Sequence, residues 1–139
     1  MFTVTAEASF CAAHCIEGHP KCGRLHGHNY NVKVVLGHEH IDAHFGFVVD
    51  FGEIKKALRE FVDQLDHKFI YGSANAARRS EMLNTLSSEE KWYLSVNQTS
   101  AESLAEHIYN SLGAYKPFIL EVSVWETPTN QATYLPKSS

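Results

Sequence analysis

The sequence predicts an α+β domain in which two helices pack on one face of an antiparallel four-stranded sheet. Residues 2–14 alternate apolar and polar side chains, which is typical of a strand with one buried face. Two later segments carry apolar residues at helical spacing, and strands precede and follow them along the chain. This order favours helices segregated to one face of a sheet. The chain has 139 residues, and we expect residues 1–139 to form one domain.

The strands are predicted from period-two alternation. From Phe2 to His14 the even positions form the apolar face, and His14 closes it. By the same criterion, and by apolar runs, the other predicted strands cover residues 30–36, 47–51, 118–124 and 132–135. In the last long strand the inward positions are Phe118, Leu120, Val122 and Val124.

The helices are predicted from a change of period. The first predicted helix has one apolar stripe, made of Ile54, Ala57, Leu58, Phe61, Val62 and Leu65. The second covers Ala101–Leu112. Residues 68–97 are harder to interpret, and we expect one short helix within Arg78–Tyr93 inside a long connection.

Composition and charge exclude several classes of protein. Twelve basic and 16 acidic residues give a net charge of −4, which argues against general nucleic-acid binding. The first residues show neither the basic nor the apolar region of a secretion signal, so we expect no such signal, and the apolar runs are too short to cross a bilayer. Three cysteines without an export signal favour reduced thiols in the cytoplasm.

Histidines are the compositional oddity, because seven of nine lie between His14 and His44. His26 and His28 are separated by one residue, so on a strand both rings point the same way, toward the apolar face. His14 has the apolar parity of its own strand. Three imidazoles from two neighbouring strands match the ligand set of a catalytic zinc site, which leaves one position open.

Other interpretations of the histidines are weaker. For any one of these histidines, a hydrogen-bonded core residue is the better explanation. For all three together, this explanation is weaker than a metal site. Cys11 and Cys15 with His26 and His28 have the wrong histidine spacing for a structural zinc finger. We expect a second group, formed by His38, His40 and His44, to lie in a solvated loop.

Four further positions carry possible chemistry. Cys22 precedes the histidine pair and is either a base or nucleophile near a cation or an incidental cysteine. The pair formed by Asp66 and His67 is either a proton relay or a helix-terminal pair. Glu126 continues the apolar parity of its strand, so its carboxylate needs a partner, which is a bound ligand with N–H donors, an internal arginine or a helix N-terminus.

Five motifs together resemble the 6-pyruvoyltetrahydropterin synthase superfamily. In chain order they are F-C-A-A-H, C-G-R-L-H-G-H-N-Y, G-F-V-V-D-F, L-D-H and W-E-T, and the whole resemblance extends from Phe10 to Tyr134. The short spacing from Cys22 to His26 and His28 is more similar to the 6-carboxytetrahydropterin synthase branch. That branch is bacterial and archaeal and acts in the biosynthesis of deazapurines such as queuosine and archaeosine.

The resemblance implies roles for individual residues. His14, His26 and His28 would hold zinc, which binds the side-chain hydroxyls of the substrate, 7,8-dihydroneopterin triphosphate. Cys22 would be the general base, with Asp66 and His67 as its acid/base partners. Glu126 would anchor the pterin ring. Triphosphate is eliminated, and the carboxy branch also cleaves the side chain and releases acetaldehyde. The basic residues near the site, and thus candidates for triphosphate contacts, are Lys21, Arg24 and Lys33.

The family fold is the tunnelling fold, in which subunits join their sheets into a barrel with active sites at the interfaces. This implies a cytoplasmic homo-oligomer, trimer-based or hexameric, with no membrane or nucleic-acid partner.

The chain departs from the family in two places. Thr99-Ser100-Ala101-Glu102 replaces the usual Pro-Thr-x-Glu, which leaves Ser100 and Glu102 as pterin contacts, although these residues also read as a helix capping box. The connection 69–98 is longer than in compact members.

Three functions stay open at this stage. The leading one is a lyase of the carboxy branch. The second is a pyruvoyl-type synthase, which keeps the three-carbon side chain. The third is a non-catalytic module that binds pterins or is stabilised by zinc in an oligomer.

Overall fold

The structure, a computed structural model, describes residues 1–137. Strands and helices follow one another much as the sequence indicates, with additional short elements in the middle of the chain. In order they are β1 (Phe2–His14), β2 (His26–His38), α1 (Phe51–Leu65), β3 (Lys68–Tyr71), α2 (Ser73–Arg78), α3 (Ser80–Thr85), β4 (Lys91–Tyr93), α4 (Ala101–Ser111), a 3₁₀ helix (Gly113–Phe118), β5 (Ile119–Thr127) and β6 (Asn130–Tyr134).

The sheet has six strands in the order β4-β3-β1-β2-β5-β6. The prediction of an α+β fold is confirmed, but that of a four-stranded antiparallel sheet is wrong. β1, β2, β5 and β6 do pair antiparallel, whereas β3 and β4 add parallel pairs at the edge of β1. These two strands have four and three residues, too few for an alternation that the sequence would reveal.

The core lies between one face of the sheet and the helices α1 and α4, which both pack on that face as predicted. β1 contributes mainly small residues, Ala6, Ala8 and Ala12, and α1 packs directly over this strand. α4 packs over β5 and β6. The side chains of Leu58 and Leu104 are fully buried, and each burial stabilises the fold by roughly 2 kcal/mol.

The strand predicted at residues 47–51 is wrong, because α1 begins at Phe51. Asp50 is the N-cap of α1, and its carboxylate accepts hydrogen bonds from the N–H groups of Gly52 and Glu53 at 2.7 and 3.2 Å. Such a cap stabilises a helix by about 1 kcal/mol. The apolar run before it is therefore the approach to a helix and not a strand.

The last long strand begins later than predicted. Phe118 belongs to the 3₁₀ helix, and a register shift between β2 and β5 turns Ile119 inward and leaves Leu120 exposed. Beyond this shift, Val122 and Val124 face the core as predicted. A bulge of this kind reverses the parity of every residue on one side of it.

The region 68–97 holds two short helices, α2 and α3, between two short strands, and not a single helix. Within residues 1–137 no helix has both the length and the apolar character needed to span a membrane.

Candidate metal centre

Three histidine side chains lie together at the end of the β1–β2 hairpin. His14 is paired directly with His26 in the antiparallel register, and His28 follows two residues later on the same face. One ring nitrogen of each lies within 4.8 Å of the corresponding atoms of the other two. The three ring centroids are 4.7 to 5.1 Å apart.

Backbone carbonyls orient two of the three rings. The Nδ1 atom of His14 donates to the carbonyl oxygen of Thr99 at 2.8 Å, and that of His26 donates to the carbonyl of Arg24 at 2.6 Å. A carbonyl can only accept, so in each neutral ring the proton is on Nδ1 and the lone pair is on Nε2. This second contact is the usual way in which proteins orient a histidine that binds a metal.

The centre contains polar atoms without partners. Among residues 1–137, the buried side-chain atoms that lack a hydrogen bond are Nε2 of His14, Nε2 of His28 and the hydroxyl of Tyr30. Leaving such an atom unpaired costs about 1–3 kcal/mol. The Tyr30 ring lies 5.9 Å from that of His14 and 5.3 Å from that of His28, so all three atoms belong to one site. A bound cation would use the free lone pairs of the two imidazoles.

Burial keeps the imidazoles of His14 and His28 neutral. It lowers the pKa of His14 from 6.5 to about 4, against the opposing effect of the bond to Thr99, and the neighbouring His26 and His28 lower it further. Burial also lowers the pKa of His28. Neutral imidazoles are ready ligands at neutral pH, and three of them leave the double charge of a divalent ion uncompensated.

Glu126 faces this centre from β5. Its carboxylate oxygens lie 3.8 Å from Nε2 of His14 and 3.6 Å from Nε2 of His28. The register between β5 and β6 shifts at this residue. Within residues 1–137 no lysine or arginine is paired with it, which removes the internal arginine as its partner.

A cavity of about 160 Å³ begins at Glu126 and reaches the N-terminus of α4. Ser100 and Glu102 also line it, so the three residues expected to contact a pterin lie around one space. The capping box predicted for Thr99 to Glu102 is wrong, because the helix begins one residue later than this box requires. Ser100 is the N-cap and accepts from the N–H of Ser103 at 3.1 Å, whereas Glu102 is exposed in the first turn.

Cys22 lies in the loop 15–25 that joins β1 and β2, and its side chain is half-buried. Its N–H donates to Nδ1 of His19 at 2.9 Å, and its carbonyl accepts from Ile16 at 2.7 Å. The loop therefore holds its backbone between two metal-site histidines, although no hydrogen bond within residues 1–137 joins its thiol to them. All three cysteines are free.

Asp66 and His67 follow α1 and lie apart from Cys22. The carboxylate of Asp66 lies 3.0 Å from Nδ1 of His67 and accepts from the N–H of Cys11 at 2.8 Å. This N–H contact holds the pKa of Asp66 below its ordinary value. His67 is 80% exposed and has a φ of 60°, so Asp66 anchors a histidine that projects from the chain. In the part of the chain that the structure describes, no hydrogen bond or ion pair connects either residue to Cys22.

His67 borders a second cavity of about 490 Å³, which the strand segment 27–29 and Cys11 also line. The side chains of Cys11 and Asn29 are hydrogen-bonded at 2.9 Å and are exposed, in contrast to the buried core positions beside them. The acid–histidine pair is therefore presented at an open surface of the sheet.

Two contributors were missed by the sequence analysis. Thr99 orients His14 through its backbone carbonyl, and a backbone contact leaves no trace in residue type. Tyr30 has no role in the prediction beyond starting the strand at residues 30–36, although a buried hydroxyl two residues after His28 on the same face is a signal of a polar site. As predicted, His38, His40 and His44 are exposed at the end of β2 and in the loop after it.

Comparisons with known proteins agree on one family. The model of the family described as 6-pyruvoyl tetrahydropterin synthase matches residues 3–137. The chain is 34% identical over 140 residues to the 6-carboxy-5,6,7,8-tetrahydropterin synthase of Haemophilus influenzae, covering 96% of this chain and 99% of that protein. It is 32% identical over 135 residues to the protein of the same name from Rickettsia bellii, covering 92% and 96%. The 6-pyruvoyl tetrahydropterin synthase structure from Plasmodium vivax has a TM-score of 0.77 at 26% identity and covers 96% of both chains.

Replacing one ligand should strongly weaken metal binding. We expect His28→Ala to weaken Zn²⁺ binding by at least about 100-fold, because it removes one of three converging nitrogens. The matched control is His38→Ala, which removes an exposed imidazole at the far end of the same strand. Zinc titration with competing chelators measures both. Equal affinity in the two variants would contradict the assigned ligand set.

Metal-free protein should lose stability as the pH falls from about 6.5 to about 4. Between these values the unfolded state binds more protons than the folded state, because burial lowers the pKa of His14. The contribution is complete above the unfolded pKa and amounts to about 3 kcal/mol. Urea unfolding at about pH 7 and pH 4.5 measures it, and His14→Gln should show a smaller pH dependence. Equal dependence in both proteins would refute the assignment.

Proposed function

Because the chain belongs to the 6-pyruvoyl tetrahydropterin synthase family, we propose that it is a zinc-dependent lyase that converts 7,8-dihydroneopterin triphosphate to 6-carboxytetrahydropterin. Triphosphate and acetaldehyde are released, and the product enters deazapurine biosynthesis. The observation that carries this proposal is the group of His14, His26 and His28, which meets beside the cavity lined by Glu126. The relatives named 6-carboxy-5,6,7,8-tetrahydropterin synthase favour the carboxy branch over the pyruvoyl branch.

Zinc suits three neutral nitrogen donors, because imidazole is one of its preferred ligands and a catalytic site keeps a fourth position open. When bound, zinc would supply positive charge to the side-chain oxygens of the substrate. The carbonyls of Thr99 and Arg24 orient two of the rings for metal binding. The lone pairs of these rings therefore face the site before any ligand arrives.

In this proposal Glu126 binds the pterin ring through the N–H groups of its amidine-like edge. The absence of a lysine or arginine partner within residues 1–137 leaves its oxygens available. Ser100 and Glu102 line the same cavity, which at about 160 Å³ is smaller than the roughly 300–1,000 Å³ of complete ligand pockets. One chain therefore accommodates the ring, and the rest of the substrate extends toward the histidines and beyond.

Cys22 acts as the general base that removes protons from the substrate side chain, with Asp66 and His67 as its partners. Since neither partner contacts Cys22 within the described chain, we place them in the active site of a neighbouring subunit of a trimer-based homo-oligomer. His67 is exposed at an open surface of the sheet and is held there by Asp66, as this arrangement requires. Joining subunits there would also cover the edges of the sheet.

The products distinguish the possible activities. Zinc-loaded protein incubated with 7,8-dihydroneopterin triphosphate should release triphosphate and acetaldehyde in equal amounts, measured by phosphate analysis and a coupled alcohol dehydrogenase assay. Cys22→Ala should lower kcat by about 10²–10⁴-fold at unchanged zinc content, because it removes a general base. Triphosphate without acetaldehyde would identify a pyruvoyl-type synthase. Pterin binding without turnover would identify a binding module, and full turnover by Cys22→Ala would exclude this base.

Mixing two inactive variants tests the shared site. Cys22→Ala and His67→Ala carry their defects on different sides of each subunit interface, so a refolded equal mixture should regain about a quarter of wild-type activity. The same variants assayed separately are the controls. If all three residues act within one chain, every subunit of the mixture still carries a defect and no activity returns.

A further inference from the structure

One arginine ties together both ends of the loop that carries Cys22. Nε of Arg79 donates to Oε2 of Glu17 at 2.8 Å, and Nη2 donates to the carbonyl oxygen of Gly23 at 2.6 Å. Glu17 precedes Cys22 by five residues and Gly23 follows it directly. The planar guanidinium makes both contacts at once, which a lysine ammonium cannot reproduce.

Two amide side chains complete the attachment. The fully buried Asn75 donates from Nδ2 to Oε2 of Glu17 at 2.7 Å and to the carbonyl of Cys15 at 3.1 Å. Gln98 pairs with the backbone of Glu17 in both directions, at 3.0 and 2.9 Å. Asn75 and Arg79 both come from the long connection between β3 and α4, and Gln98 closes it.

The carboxylate at the centre of this network is nearly inaccessible, since the Glu17 side chain is only 7% exposed. Burial opposes its ionisation, but the hydrogen bonds from Arg79 and Asn75 outweigh this effect and hold its pKa below the ordinary value. Glu17 is therefore charged at neutral pH. A buried charge is tolerated only while its partners stay in place. The network therefore fixes the loop at Glu17 relative to Asn75 and Arg79.

The loop between the two attachment points has little freedom. A Cβ at Gly23 would lie 2.4 Å from the carbonyl oxygen of His19, so the backbone packs against itself. The backbone N–H of Cys22 donates a hydrogen bond to Nδ1 of His19, and its carbonyl oxygen accepts one from the N–H of Ile16. Displacing Glu17 or Gly23 must therefore displace Cys22.

We propose that Arg79 is a positioning residue, and that the long connection serves as a clamp holding Cys22 in place beside the metal centre. This inference rests on the proposed function, in which Cys22 is the base. The network joins residues up to 81 positions apart. A loop that only connects β1 to β2 does not need such distant partners. The proposal also assigns a function to the long connection 69–98, which is to position Cys22.

The test compares Arg79→Lys with Arg78→Met, which removes the exposed arginine next to it. In Arg79→Lys we expect full zinc content, a folded protein, kcat at least tenfold lower and KM within about threefold of wild type. Alkylation of Cys22 by iodoacetamide should be several-fold faster, with Cys11 as internal reference in peptide mass spectrometry. Arg78→Met should behave as wild type in every measurement.

A second variant guards against misfolding. Gln98→Ala releases the other attachment but leaves the buried charges paired, so it should give the same changes in kcat and in Cys22 alkylation. The proposal is overturned if both variants keep wild-type values, or if kcat falls only in proportion to the unfolded fraction. Alkylation needs no turnover. An inactive wild type would therefore refute the proposed function, while the clamp is still judged by the exposure of Cys22.

Discussion

The antiparallel pairing of the first two strands is the constraint on which the site depends. Thirteen residues of β1 pair with thirteen of β2 without interruption, from Phe2 opposite His38 to His14 opposite His26. A slip of one residue would turn one strand's histidines to the other face of the sheet. The register resists such a slip because the alternate positions of both strands are buried under the helices. The hydrophobic core therefore sets the geometry of the candidate metal centre.

The centre is prepared at a cost to the folded chain. Two buried nitrogens and one hydroxyl have no partner within residues 1–137, and burial keeps the imidazoles of His14 and His28 neutral. The rings of His14 and His26 are oriented by two backbone carbonyls, that of Thr99 before α4 and that of Arg24 before β2. Since neither carbonyl belongs to a strand that carries the ligands, the rings are held by three separate parts of the fold. These two hydrogen bonds from separate segments keep the Nε2 lone pairs of the two rings directed into the site.

The two faces of the sheet carry different parts of the proposed chemistry. The histidines and Glu126 lie on the face that the helices cover, whereas Asp66 is anchored by the backbone of Cys11 and holds His67 outward. The loop with Cys22 leaves the end of β1 and returns to β2 between two of the ligands. The connection 69–98 reaches back to this loop through Asn75 and Arg79. This connection between helices therefore contacts the loop that carries Cys22.

The sequence by itself determined the long strands β1 and β2, the two long helices and the convergence of His14 with His26 and His28. These depend on periodicity and parity, which neighbouring residues encode. Tertiary structure alone decided the parallel strands β3 and β4, the carbonyl of Thr99 that orients His14, and the pairing of Glu17 with Arg79 across 62 residues. It also corrected the strand expected at residues 47–51, where the cap at Asp50 starts a helix. Such features arise from contacts between distant segments and from backbone atoms, and neither is written in the local order of side chains.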